Sequence, residues 1–131
     1  VVYASSHEHP LFPGTGTETE TGVGNIFNAT LNAGIGSKEF LEIFEKKIIK
    51  PVDSFKPEVI LISAGFDAHT RDPLANINLN SEDFFQITNL IVEIANIHSK
   101  GRVISFLEGG YDLTALSESI IEHLKALETH I

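Results

Sequence analysis

Hydrophobic residues along the chain form short apolar runs that alternate with longer amphipathic stretches. The apolar runs predict four strands, at residues 1–6, 25–31, 58–64 and 102–107. The amphipathic stretches predict three helices, which begin near residues 37, 81 and 113 and end near residues 55, 99 and 127. We expect Ser37 and Ser81 to be N-caps, and Pro51 to kink or restart the first helix. Strands that alternate with helices predict an α/β fold with a parallel sheet and right-handed crossovers.

The run at residues 58–64 is the most apolar strand, and polar side chains follow it. Because it is rich in β-branched residues, we expect it to be buried on both faces. Asp67 and His69 come directly after its end, and Tyr111 follows the strand at 102–107. In a parallel sheet the carboxyl ends of the strands lie at one edge, where ligands usually bind. The loop after residue 6, the loop after residue 64 and the turn at 108–111 are therefore predicted to converge.

Composition restricts the classes of function that this chain can have. Its 131 residues suffice for one domain, and the net charge of −9 argues against a nucleic-acid surface. No cysteine is present, so thiolate metal sites and disulfides are excluded. No stretch resembles a membrane span or a signal peptide, which favours a cytoplasmic location. Because the chain begins with Val and a strand already in progress, we expect it to be part of a longer protein.

Asp67 and His69 could ligate a metal, but each has an ordinary alternative. Asp67 could instead be a general base or the cap of the following turn. A catalytic zinc ion needs at least three protein ligands, and His7 and His9 could supplement the pair. The alternative for these two is a pair of exposed or hydrogen-bonded loop histidines. The three histidines near predicted helix C-termini are assigned no chemistry, namely His98, His123 and His130.

Tyr111 follows two glycines, Gly109 and Gly110, that allow the backbone to come close to a ligand. A phenol in such a turn could donate a hydrogen bond to a developing oxyanion. The alternative is a turn in which the ring packs and the hydroxyl is hydrated. The stretch Gly14-Thr15-Gly16 could suggest a phosphate site, but no lysine and no helix follow it, so nucleotide binding is not favoured.

Four motifs in this order resemble the zinc-dependent histone deacetylase family. They are Phe12-Pro13-Gly14-Thr15-Gly16, Ser63-Ala64-Gly65-Phe66-Asp67-Ala68-His69, Asp72-Pro73-Leu74 and Leu107-Glu108-Gly109-Gly110-Tyr111. The chain is most similar to class II-like members and to acetoin-utilisation and acetylpolyamine deacetylase relatives. The resemblance covers nearly the whole chain. It implies a three-layer parallel sheet with flanking helices, of the arginase/deacetylase type.

The resemblance also implies roles for individual residues. Asp67 would be one zinc ligand, and His69 would have no zinc role. Tyr111 would polarise the scissile carbonyl and stabilise the oxyanion. The side chain of Phe12 and the backbone of Gly109 and Gly110 would line the channel for the acyl-lysine stem. Ser5 and Ser6 would lie at a site for a monovalent cation, K⁺ or Na⁺, and Asp112 replaces an Asn with little expected consequence.

Other parts of the family pattern do not occur in these residues. The paired catalytic histidines and the D-x-H motif with two further zinc ligands are missing, so residues 1–131 are expected to be the C-terminal portion of one catalytic domain. The intact protein would hydrolyse an acetylated lysine or a related acetylated amine, and this chain alone would be inactive. The competing hypothesis is a non-catalytic α/β module that binds an acetylated or cationic ligand or a partner chain. A truncated sheet exposes apolar surface, so we expect the chain to self-associate.

Overall fold

The computed structural model describes residues 1–129, in which parallel strand pairs are flanked by helices. The strands are β1 (Tyr3–Glu8), β2 (Ile26–Leu31), β3 (Ile60–Ala64) and β4 (Val103–Leu107). The helices are α1 (Ser37–Phe44), α2 (Lys50–Phe55), α3 (Ser81–His98) and α4 (Leu113–Glu128). A π-helical turn, Glu45–Ile49, joins α1 to α2. The predicted α/β class and the order of the elements are confirmed.

The strands form two parallel pairs within the described residues, and the single sheet expected from the sequence is not formed there. β1 pairs with β2, and β3 pairs with β4 in the register Leu61 to Ile104 and Ser63 to Phe106. Two isolated bridges, Gly36 to Asn78 and His69 to Leu79, tie the loop that precedes α3 into the structure. Strand pairing depends on contacts between residues distant in sequence, which local apolar runs do not encode.

The expectation that β3 is buried on both faces is wrong for this chain. Its burial alternates: Leu61 is 64% exposed, and on β4 the neighbouring Ile104 and Phe106 are 51% and 53% exposed. On the other face, the Ser105 hydroxyl of β4 lies 2.9 Å from His123 Nε2 of α4. The β3–β4 pair therefore presents one apolar face to solvent.

The main core lies between β2, the α1–α2 segment and α3. It contains the predicted stripe residues Phe40, Phe44 and Ile48, together with Phe66 and Phe84 from the other half of the chain. The rings of Phe66 and Phe84 are 5.1 Å apart and tilted, a favoured aromatic geometry. Because Phe66 directly precedes Asp67, this packing fixes the start of the loop that carries the candidate site.

Two predicted N-caps are displaced by one residue. Gly36 precedes α1, while the Ser37 hydroxyl donates to Asp83 at 2.5 Å. Asn80 caps α3 in a capping box, in which the Asp83 carboxylate accepts from the Asn80 backbone N–H at 2.7 Å. Both serines have tertiary hydrogen-bond partners instead, so neither caps its helix. Pro51 does not break the helical path, because its missing N–H falls in the first turn of α2, directly after the π-helical turn.

Candidate active site

The backbone exits of β3 and β4 are hydrogen-bonded to each other. Glu108 N–H donates to the Ala64 carbonyl at 3.0 Å, and Phe66 N–H donates to the Gly109 carbonyl at 2.9 Å. The two chain segments therefore leave their strands side by side. This arrangement brings Asp67 next to the turn at 108–111, as the parallel topology predicted.

The Asp67 carboxylate lies between two glycines. A β-carbon added to Gly65 would lie 3.2 Å from Oδ1, and one added to Gly109 would lie 3.4 Å from Oδ2. The added Gly109 β-carbon would also lie 3.4 Å from the Tyr111 hydroxyl oxygen. The carboxylate and the phenol thus border the same small space, and their oxygens are separated by at most twice that distance.

The charge of Asp67 is poorly compensated. Burial raises the pKa of this carboxyl above its usual value, and the nearby charges of Asp72 and Glu8 raise it further. A hydrogen bond from its own backbone N–H acts in the opposite direction. Among residues 1–129 it has no other hydrogen-bond donor, so it does not cap the following turn. A partly buried carboxylate without a positively charged partner is suited to bind a cation.

The Tyr111 side chain reaches this space from an exposed turn. It is 54% exposed, and within the described part of the chain its hydroxyl has no hydrogen-bond partner. Its phenolic O–H is therefore free to donate to a ligand. Gly110, at φ +132°, brings the backbone against Phe66 and Leu116, and Asp112 caps α4 by accepting from Ala115 N–H at 2.8 Å.

His69 is turned away from the candidate site. Its Nδ1 accepts a hydrogen bond from Arg71 N–H at 3.0 Å, so Nε2 carries the proton and donates to the Ser81 hydroxyl at 3.0 Å. Ser81 in turn donates to Glu118 at 3.2 Å. The hydrogen-bonded row of His69, Ser81 and Glu118 contains the residue types of a catalytic triad. However, His69 Nε2 carries a proton, so it cannot accept one from the Ser81 hydroxyl. His69 instead fixes the loop at 65–80 to the start of α3.

The two loop histidines behave differently from each other. His7 accepts at Nδ1 from the Ser5 hydroxyl at 3.0 Å and donates from Nε2 to the Gly16 carbonyl at 2.8 Å. The Nδ1 of His9 is buried without a partner among the described residues. No group of three or more His, Asp or Glu residues within residues 1–129 is arranged to hold a metal ion. Among the described residues, Asp67 could therefore supply one metal ligand, but the two further ligands of a catalytic zinc site are not placed beside it.

The remaining predicted site residues are Phe12, Ser5 and Ser6, and no hydrogen bond among the described residues joins them to Asp67 or Tyr111. Phe12 is 99% exposed in a turn closed by Gly14 N–H and the Leu11 carbonyl. Ser5 and Ser6 lie on β1 and are partly buried. His123 lies in the last two turns of α4, near the helix end as expected, but it is buried, and its Nδ1 lies 2.7 Å from the Thr88 hydroxyl. His98 does end α3 and pairs with Asp53 at 2.8 Å, whereas His130 lies outside the described residues.

Sequence reasoning gave no role to Asp72 and Glu8, two carboxylates whose charges act on Asp67. Asp72 is 8% exposed and accepts from Leu74 N–H at 2.8 Å and from Tyr111 N–H at 3.0 Å. Glu8 accepts from the backbone and the side chain of Asn76 at 2.7 and 3.0 Å. Asp72-Pro73-Leu74 is a local signal for an Asx turn, but the bond to Tyr111 spans 39 residues and leaves no local pattern.

Comparison with known proteins identifies the family. The family model for the histone deacetylase domain matches residues 1–127. The chain belongs to the histone deacetylase family. The resemblance inferred from the four motifs is thereby confirmed, and so is the deacetylase fold.

Individual relatives agree with this assignment. The chain is 39% identical to type-2 histone deacetylase 2 of Dictyostelium discoideum over 96% of this chain and 8% of that protein. It is 37% identical to the chloroplastic histone deacetylase 14 of Arabidopsis thaliana over 97% of this chain and 31% of that protein. The crystal structure of the HDA15 HD domain superposes with a TM-score of 0.89 at 29% identity, over 98% of this chain and 38% of that one. This histone deacetylase chain thus spans less than half the length of these three relatives.

No helix among residues 1–129 is both long and apolar enough to cross a bilayer.

Proposed function

We propose that this chain supplies Asp67 as a metal ligand and Tyr111 as an oxyanion-stabilising phenol to a zinc-dependent deacylase. Water would add to the acetyl carbonyl of an N-acetyl-lysine or a related acetylated amine. The C–N bond would then break to give acetate and the free amine. The observation that supports this most strongly is the shared position of the Asp67 carboxylate and the Tyr111 hydroxyl around Gly109.

Asp67 fits one ligand position of a zinc site, and the described residues do not provide three. Its carboxylate lacks a cationic partner and is disfavoured by burial, Asp72 and Glu8. A bound zinc ion would polarise the carbonyl and lower the pKa of water. The other ligands and the histidine that moves the proton would come from outside residues 1–131, so we expect the chain alone to be inactive.

Among the residues of this chain, Tyr111 would act directly on the reacting carbonyl. As the amide carbonyl becomes tetrahedral, its oxygen gains negative charge, and the phenolic O–H donates a hydrogen bond to it. The Tyr111 hydroxyl has no hydrogen-bond partner among residues 1–129. It can therefore donate to the oxyanion without first breaking a hydrogen bond within the chain. Gly109 leaves room for the substrate because a side chain there would meet both Asp67 and Tyr111.

Other residues of this chain would form the substrate channel and a site for a monovalent cation. Phe12, Gly109 and Gly110 would line the acyl-lysine channel, and Ser5 and Ser6 would border a K⁺ or Na⁺ site. The negative net charge suits a cationic substrate. A cytoplasmic location stays a prediction. The alternative, a non-catalytic module of the same fold, predicts that a ligand binds without turnover.

The decisive test uses the complete product of the gene that encodes this chain, with an acetyl-lysine peptide as substrate. Asp67→Asn and Tyr111→Phe should each lower kcat by at least 100-fold, because each removes a group aimed at the reacting atoms. Matched controls are Asp53→Asn, whose carboxylate is exposed, and Tyr3→Phe, the other tyrosine, which is 58% exposed. Activity that survives both site substitutions would overturn the proposal.

A second measurement examines the chain by itself. Calorimetric titration of residues 1–131 with zinc should show no binding, or weak binding that Asp67→Ala barely changes. Tight one-to-one binding that depends on Asp67 would mean that His7, His9 or His69 completes a site within this chain, which would contradict the proposed ligand set.

A further inference from the structure

The Tyr111 phenol has no anchor of its own in the described residues. The residue is about half exposed, and its hydroxyl has no hydrogen-bond partner there, so no hydrogen bond of the side chain fixes where the hydroxyl lies. The preceding residue, Gly110, has φ +132° and therefore access to backbone conformations that other residues rarely adopt. The position of the phenol must then depend on what holds the backbone of the turn at 108–111.

Hydrogen bonds to Ala64 and Phe66 hold Glu108 and Gly109, and Asp72 holds the backbone of Tyr111 itself. Its Oδ2 accepts from Tyr111 N–H at 3.0 Å, and its Oδ1 accepts from Leu74 N–H at 2.8 Å. Its own N–H donates to the His69 carbonyl at 3.0 Å, which fixes the loop from which the carboxylate projects. Both oxygens are therefore committed to backbone donors. One carboxylate connects the loop that bears Asp67 to the turn that bears Tyr111.

Burial of this carboxylate would cost free energy without hydrogen-bond donors, and the N–H groups of Leu74 and Tyr111 supply them. Asp72 is 8% exposed, and the adjacent Arg71 forms its ion pair with Glu118 instead. Buried ionised groups are tolerated when hydrogen bonds satisfy them, and hydrogen bonds to a charged acceptor are stronger than neutral ones. Asn cannot replace it, because an amide has one acceptor oxygen and its NH₂ would face a backbone N–H.

We propose that Asp72 is a positioning residue for deacylation, which acts by holding the Tyr111 backbone so that the phenol meets the oxyanion. This inference rests on the proposed function. Asp72 does not itself touch the substrate. Its loss should affect the transition state, where the phenol acts, more than substrate binding. A displacement of about 1 Å at a catalytic group can lower the rate by about 100-fold.

The test compares Asp72→Asn with Asp112→Asn in the complete gene product. Asp112 is the matched control because it accepts only one backbone hydrogen bond there, from Ala115, and Asn caps helices equally well. Asp72→Asn should lower kcat by about 10- to 100-fold with KM nearly unchanged. In the Tyr111→Phe background the same substitution should cause no further loss, because the group through which it acts is gone.

A readout that does not need activity accompanies the kinetics. Deuterium exchange of the backbone amide of Tyr111 should become faster in Asp72→Asn and stay unchanged in Asp112→Asn. An equal loss of kcat in the Tyr111→Phe background would assign Asp72 a general structural role and overturn the inference. Wild-type kcat in Asp72→Asn, or unchanged exchange at Tyr111, would also overturn it.

The two proposals fail in distinguishable ways. If Tyr111→Phe impairs deacylation but Asp72→Asn does not, only the positioning role is wrong. If the gene product has no deacylase activity, the proposed function fails. The role of Asp72 in deacylation then fails with it, and faster exchange at Tyr111 would show only a structural tether.

Discussion

The Asp67 carboxylate lies against the bare α-carbon of Gly109. A β-carbon at position 109 would come within 3.3 Å of Cγ and 3.4 Å of Oδ2, and the Tyr111 hydroxyl would be equally close. The distance to Cγ is tighter than an ordinary van der Waals contact and the two others are at its lower limit, so an added methyl group would press on the Asp67 carboxylate and the Tyr111 phenol. The glycine is thus part of the site although it has no side chain.

Gly109→Ala should therefore impair activity more than stability. We expect kcat of the complete gene product to fall by about 10- to 100-fold, because small displacements of the proposed catalytic groups, Asp67 and Tyr111, would lower the rate. The control is Gly36→Ala, where an added β-carbon meets nothing within 4 Å. Peptide deacetylation and thermal unfolding of both variants would check this. Full activity in Gly109→Ala would show that the space around this glycine is not used.

Gly110→Ala should destabilise the fold. Position 110 has φ +132°, and a β-carbon there would lie 2.7 Å from Leu116 Cδ1 and 3.2 Å from Phe66 Cβ. Gly34→Ala is the matched control: its φ is +90°, but the added atom meets nothing within 4 Å. Both substitutions place a β-carbon on a backbone with positive φ, which lowers the free energy of unfolding. Only the substitution at position 110 adds overpacking, which lowers it by a further ~1–3 kcal/mol. Urea unfolding should show that difference, and equal unfolding midpoints would contradict it.

His123 should make the protein less stable in mild acid. Burial lowers the pKa of this imidazole below its ordinary value of 6.5. Below pH 6.5 the unfolded chain therefore binds more protons than the folded one, and the free energy of unfolding falls as the pH falls. Burial and the nearby charge of Arg71 lower the pKa of His69 as well, so both histidines contribute in the same direction.

The measurement is urea unfolding of wild type and His123→Gln between pH 7.5 and pH 5. The variant should lose less stability over this interval than the wild type, whatever its absolute stability. His98→Gln is the control, because that histidine pairs with Asp53 at the surface. An identical pH dependence in wild type and His123→Gln would disprove this assignment.

The apolar face of the β3–β4 pair should cause self-association of the isolated 131-residue chain. Leu61, Ile104 and Phe106 are each more than half exposed and lie on neighbouring positions of one face. Leu61→Lys combined with Ile104→Glu should lower the mass measured by light scattering at high concentration. The control is Ile97→Lys on α3, which removes an apolar side chain that is 71% exposed without changing the sheet. A monomeric wild-type chain would contradict the prediction.

The order of elements and the location of Asp67 and Tyr111 followed from the sequence. Strand and helix periodicities are local, so they predicted all four strands and the three helical regions. Parallel crossovers place strand exits at one edge, which correctly brought Asp67 next to the turn that carries Tyr111. The four motifs also indicated the family, because their residues and order are visible without knowledge of any contact.

The sequence by itself therefore determined the elements, the family and the two residues at the centre of the candidate site. Only the tertiary structure decided which partner each polar group takes. Ser37 and Ser81 have side chains that suit an N-cap. Their hydroxyls instead form hydrogen bonds with Asp83 and His69, which belong to other segments. The bond from Asp72 to Tyr111, the burial of His123 and the pairing of β3 with β4 likewise join distant positions. Local patterns carry no information about such contacts, because their free energy arises only when folding brings the two groups together.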